Sequence, residues 1–104
     1  WQVQLATTLA RALELVARDA FDLVLTDIDL DGSDGVELIR ALRDGPLRSD
    51  ATVIAVSADA MGPQAERALA AGADGYWVKP VEPRRVIAFL RAPREDWPGL
   101  LAAG

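Results

Sequence analysis

The chain has 104 residues, 51% of them hydrophobic and 26% charged, which suits one domain around one core and excludes disordered and fibrous classes. A net charge of −5 with arginines scattered along the chain argues against a nucleic-acid surface, which would need basic residues clustered on one face. Cysteine and histidine are both absent, so disulfides, thiolate nucleophiles, His-ligated zinc, Ser-His-Asp catalysis and a phosphohistidine role are removed together.

No apolar run approaches the roughly 20 residues needed to span a bilayer, and no leader pattern opens the chain, so the expectation is a cytoplasmic domain without membrane association. Any chemistry falls to carboxylates, hydroxyls and cations. The basic residues are arginines except for Lys79, so the position of that lysine is informative.

In chain order, Trp1 to Ala6 alternates apolar and polar residues as a half-buried strand does. Thr7 or Thr8 can cap a helix carrying Leu9, Leu13 and Val16 at helical spacing, with Ala12 and Leu15 beside them. Phe21 to Leu25 is a short, almost continuous apolar run, broken by Asp22, of the kind found in a parallel strand buried on both faces, and it leads into the acidic stretch from Asp27 to Asp31. Ser33 or Asp34 can cap a second helix, with Val36, Leu38, Ile39 and Leu42 on one face before the break at Gly45 and Pro46.

Ala51 to Val56 reads as another strand ending at Ser57. Pro63 opens a weakly specified helix with Ala65, Ala68 and Leu69 on its apolar side, running to Gly72. Tyr76 to Val78 is a further strand ended by Lys79 and Pro80, and Pro83 opens a last helix with Val86, Ile87 and Leu90 predicted to face inward. From Ala92 onward no periodicity is evident, and residues 93–104 read as a tail or linker, with Trp97, Leu100 and Leu101 available to dock.

Strands alternating with helices imply right-handed crossovers and an α/β fold, an open parallel sheet with helices on both faces. Such folds bind ligands beyond the C-terminal ends of their strands. Asp27, Ser57 and Lys79 each end a different predicted strand, so one sheet edge gathers a carboxylate, a hydroxyl and an ammonium. That set suits a phosphoryl group: the carboxylate can attack phosphorus, the hydroxyl can donate to a phosphoryl oxygen, and the ammonium offsets charge. Taken singly, Asp27 reads equally as a strand-end acid, Ser57 as a turn or cap residue and Lys79 as a surface charge.

Asp27 to Gly35 (DIDLDGSDG), Val53 to Ala60 (VIAVSADA) and Ala70 to Pro80 (AAGADGYWVKP), with intervals of 30 and 22 residues between Asp27, Ser57 and Lys79, resemble the receiver domains of response regulators and hybrid kinases. The resemblance implies a flavodoxin-like receiver domain over residues 1–92. It implies that Asp27 accepts a phosphoryl group from a phosphohistidine on a histidine kinase or histidine phosphotransfer protein. Mg²⁺ would be held by Asp27 and the backbone carbonyl of Asp29, and Ser57, Lys79 and the amide of Ala58 would hold the phosphoryl oxygens. It further implies a cis Lys79–Pro80 bond, Tyr76 as a switch aromatic, and a readout and homodimer surface made of the helix after Pro63, the Tyr76 strand and the Pro83 helix.

Two features depart from the family pattern. Its first strand, which ends in a pair of acidic residues, and its first helix would precede Trp1, so a gap is expected between the first two strands read here. Asp31 stands where the family carries proline. The alternatives are a receiver serving only as an interaction module, a phosphatase of the haloacid dehalogenase type, and a calcium loop. The phosphatase needs a further strand with paired acids, whereas the loop needs a glutamate at its twelfth position, which here is Leu38.

Overall fold

The computed structural model describes residues 9–28, 34–44, 51–58 and 63–103. The predicted opening strand, the Thr7/Thr8 cap, the expected gap beside that strand, Asp29, Asp31, and the break at Gly45 and Pro46 lie outside the described residues.

The predicted periodicities become elements α1 (Leu9–Arg18), β1 (Leu23–Asp27), α2 (Asp34–Asp44), β2 (Thr52–Ser57), α3 (Pro63–Ala71), β3 (Gly75–Val78) and α4 (Pro83–Arg91). The described strands form one parallel sheet in the order β1-β2-β3. Leu23 stands opposite Thr52 and Asp27 opposite Val56, while Ile54 stands opposite Gly75 and Ser57 opposite Val78. β2 is the central strand and its residues from Val53 to Ser57 are all buried, as a strand covered on both faces requires.

Strand alternation divides the core in two. On one face Val53 and Ala55 pack with Ile28 and with Val36, Leu38, Ile39 and Leu42 of α2, joined by Ala68 and Ala71 of α3 and by Leu13 and Val16 of α1. On the other, Ile54 and Trp77 pack with Phe89 of α4 and with Trp97, beside Leu23 and Val86. Helices therefore cover both faces of an open parallel sheet, the architecture expected from the strand-helix rhythm.

Two predicted helix faces are rotated. Leu69 is 49% exposed while Ala68 is fully buried, and Ile87 is 48% exposed while Phe89 is buried. Periodicity alone does not separate an 86-87-90 stripe from an 86-89-90 stripe. The larger ring, which closes on Trp77 and Trp97, decides it.

Within residues 93–103, where no periodicity predicts an element and Trp97 is available to dock, the structure shows a docked segment. A 3₁₀ turn (Arg94–Asp96) leads into α5 (Trp97–Ala103). Trp97 is 1% exposed, its ring 4.7 Å from that of Phe89 and its indole N–H donating to the Phe89 carbonyl at 2.7 Å. Burial of an indole with its donor satisfied outweighs the poor helix propensity of Gly99, while Pro98 in the first turn suits a helix start.

A polar clamp holds the N-terminal end of the sheet. Arg43 donates to the carbonyls of Gly72 at 2.9 Å and Ala51 at 3.0 Å and pairs with Asp74 at 2.5 Å, and Asp74 accepts the Val53 amide at 2.8 Å. Gly72 sits at φ 118 after α3, where a Cβ would both be strained and fall on the Arg43 side chain. Asp74→Ala removes a charge-assisted pair and orphans a strand amide. Since Asp74 is partly exposed, the expected loss is about 1–2 kcal/mol, read from the midpoint of urea unfolding.

Candidate functional site

The site is built by register. Asp27 stands opposite Val56 and Val56 opposite Trp77, so their side chains share one face, and Lys79, two residues beyond Trp77, returns to that face. The ladder continues past the strand ends, with the Ile28 amide donating to the Val56 carbonyl at 3.0 Å and the Lys79 amide to the Ser57 carbonyl at 2.8 Å. All three strands thus end level, and Lys79 Nζ reaches across to Asp27 Oδ2 at 2.6 Å.

The Asp27 and Lys79 side chains are 33% and 35% exposed, so the pair is anchored in the protein but open to a ligand from solvent. Ser57 is fully buried at the end of the central strand between them in sheet order, and Ala58, immediately after it, is exposed. The Lys79–Pro80 bond is cis. Tyr76 is half-buried and packs on the opposite face, against the α1-α2-α3 core.

The structure therefore brings Asp27 and Lys79 into contact, places Ser57 at the same edge, and sets Tyr76 on the other side of β3. A hard divalent cation takes six or more oxygen ligands. The chemistry of Asp27 fits one of them. Among the described residues there is no cluster of three acidic side chains to complete a shell.

Gly35 is a site residue that the sequence reading used only as the end of a motif. A Cβ there would lie 2.8 Å from the Asp27 carbonyl oxygen and 2.8 Å from Ile28 Cγ2. The first turn of α2 thus rests directly on the end of β1. Glycine in the first turn of a helix whose start is already marked by polar residues is the available signal. Gly35→Ala is expected to cost about 1–3 kcal/mol through overpacking and to displace Asp27, checked by urea unfolding and by loss of the Asp27–Lys79 contact in a structure of the variant.

An open parallel sheet whose strand ends converge on a carboxylate-lysine pair defines an α/β domain with its functional edge at the strand C-termini. The response regulator receiver domain model matches residues 1–91, and the chain belongs to that family. It is thus a receiver domain of two-component systems, a phosphoacceptor signalling domain.

The chain is 36% identical over 88 residues to the signal transduction histidine-protein kinase BarA of Escherichia coli, covering 85% of this chain and 10% of that protein. It is 38% identical over 79 residues to the phosphate regulon transcriptional regulatory protein PhoB of Pseudomonas aeruginosa, covering 75% of this chain and 34% of that protein. It therefore spans between a tenth and about a third of these relatives.

Among solved structures, a CheY-like receiver domain protein from Methanospirillum hungatei superposes with a TM-score of 0.76 at 30% identity, over 100% of this chain and 79% of that one. A response regulator from Burkholderia pseudomallei, solved with a phosphorylated aspartic acid, a calcium ion and citrate, superposes with a TM-score of 0.73 at 28% identity, over 92% of this chain and 55% of that one.

Proposed function

We propose that Asp27 is the phosphoacceptor, with Lys79 and Ser57 as its phosphate-handling partners, and that the donor is a phosphohistidine on a histidine kinase or histidine phosphotransfer protein. The observation that carries this reading is the 2.6 Å contact between Lys79 Nζ and Asp27 Oδ2 where the three strands end. A carboxylate oxygen forms the new O–P bond as the P–N bond to the donor imidazole breaks, and the electron pair leaves on the imidazole nitrogen. Lys79 is already placed to offset the negative charge that the phosphoryl group brings. Ser57 and the Ala58 amide would donate to the phosphoryl oxygens.

Mg²⁺ would be held by Asp27 and the Asp29 backbone carbonyl, and when bound it would supply charge neutralisation. The response regulator solved with a phosphorylated aspartic acid and a calcium ion supports a role for a divalent cation. Readout would use α3, β3 with Tyr76, and α4, the same face serving a homodimer, and the domain would act in the cytoplasm. Among the described residues no helix is long and apolar enough to cross a membrane.

The test is incubation with acetyl phosphate and Mg²⁺ followed by intact mass. One phosphoryl group per chain, lost on treatment with hydroxylamine, is the expected result, and an unmodified mass overturns the reading. Lys79→Arg should separate charge from shape. The planar guanidinium is larger than the ammonium and is expected to slow labelling while conserving charge, checked by the rate of mass gain.

A further inference from the structure

Outside the Asp27 edge, the least expected feature is the docked segment of residues 94–103, which lies beyond the family match at residues 1–91. Two observations tie it to β3 and α4, and a third to the start of β1. The Trp77 ring meets Phe89 edge-on at 5.8 Å, and Phe89 meets Trp97 at 4.7 Å, forming an aromatic stack from β3 through α4 to α5. A Cβ on Gly75 of β3 would lie 2.6 Å from Leu101 Cδ2, so α5 sits against the β3 backbone itself. Arg94 pairs with Asp22 at 3.0 Å, bridging the segment to the start of β1.

The two ends of the stack are unequal. The indole N–H of Trp97 has two acceptors, the carbonyls of Phe89 and Ala92. Among the described residues, the indole nitrogen of Trp77 and one Arg85 nitrogen, Nη2, are buried with no hydrogen-bond partner, although the Arg85 guanidinium lies 4.3 Å from the Trp77 ring centroid. Buried donors without acceptors favour any rearrangement that satisfies them. Trp77 is two residues before Lys79 on a strand of only four residues. The end of the stack with reason to move is the end attached to the site.

We infer that residues 94–103 form a regulatory strap, docked on β3 and α4 through the Trp77-Phe89-Trp97 stack and loosened when Lys79 leaves Asp27. The phosphorylated form of this inference rests on the reading of Asp27 as the phosphoacceptor. When Lys79 turns to a phosphoryl group, β3 shifts at Trp77, the under-satisfied Trp77-Arg85 layer repacks, and the hold of Phe89 on Trp97 weakens. The released strap then exposes Trp97 and Leu101 to solvent.

Amide hydrogen exchange on the full chain tests this, with protection at Trp97 to Leu101 measured relative to Ile39 and Leu42 in α2, which belong to the other core. Lys79→Gln removes the ion pair at a site one-third exposed, where solvent screening leaves it only a small share of stability. The expected result is a rise in relative exchange of the strap by at least about threefold. The acetyl phosphate-treated protein, with its added mass verified, should show the same rise. An unchanged ratio in Lys79→Gln overturns the coupling. A raised ratio in Lys79→Gln with no mass gain from acetyl phosphate keeps the coupling and removes the phosphoacceptor reading, so the two failures are distinguishable.

Discussion

Trp97→Ala is expected to lower stability by about 3–5 kcal/mol, the range for truncating a fully buried aromatic residue. Domains of this size are stable by about 5–15 kcal/mol, so the loss takes a large share of the total. Trp97 is 1% exposed and fills the space between Phe89, Ile54 and Leu23 on the second face of the sheet. Its removal leaves a cavity and also strips the Phe89 carbonyl of the indole donor. Trp97→Phe separates the two contributions. It keeps most of the ring volume and loses the donor, so it should cost nearer to 1 kcal/mol beyond the packing difference. Urea unfolding midpoints for the two variants check both figures, and a Trp97→Ala protein as stable as the parent would restore the reading of residues 93–103 as a free tail.

The history of that tail shows which parts of the molecule local pattern can reach. β2 is legible because the run from Ala51 to Val56, apolar but for Thr52 and bounded by Asp50 and Ser57, suits a strand covered on both faces, and its burial from Val53 onward follows. Asp27, Ser57 and Lys79 are legible as one group for a topological reason: parallel strands end on the same side, so residues at successive strand ends meet without any knowledge of the helices. Their contact then needs only register, and Lys79 and Asp27 supply it across a sheet of three described strands.

Features that depend on which surfaces meet are not written locally. The Arg43–Asp74 clamp joins residues 31 apart by a direct ion pair, and Arg43 also donates to the Gly72 and Ala51 carbonyls, which no pattern marks. The role of Gly35 appears only once α2 lands on the Asp27 carbonyl. α5 carries glycine in its first turn and has no apolar periodicity to announce it, although Pro98 suits a helix start, and its docking depends on Trp97 finding Phe89. Ile87 and Phe89 compete for one helix face, and only the aromatic partners on β3 and α5 settle the choice.

Asp27→Asn is expected to abolish phosphoryl incorporation completely while leaving the fold intact. An amide oxygen is a far poorer nucleophile than a carboxylate, and the neutral side chain no longer draws the Lys79 ammonium to the acceptor position. The stability consequence is small. Asp27 and Lys79 are each about one-third exposed, so solvent screens their attraction and the pair contributes about 0–1 kcal/mol. The buried residues around the site, Ile28, Val56 and Ser57, are untouched by an isosteric change. The variant should therefore unfold at nearly the parent urea concentration and show no mass gain with acetyl phosphate and Mg²⁺. Loss of labelling with an unchanged midpoint assigns the acceptor to Asp27. Retained labelling would move the phosphoryl group to another side chain and break the link between the strand-end geometry and the chemistry proposed for it.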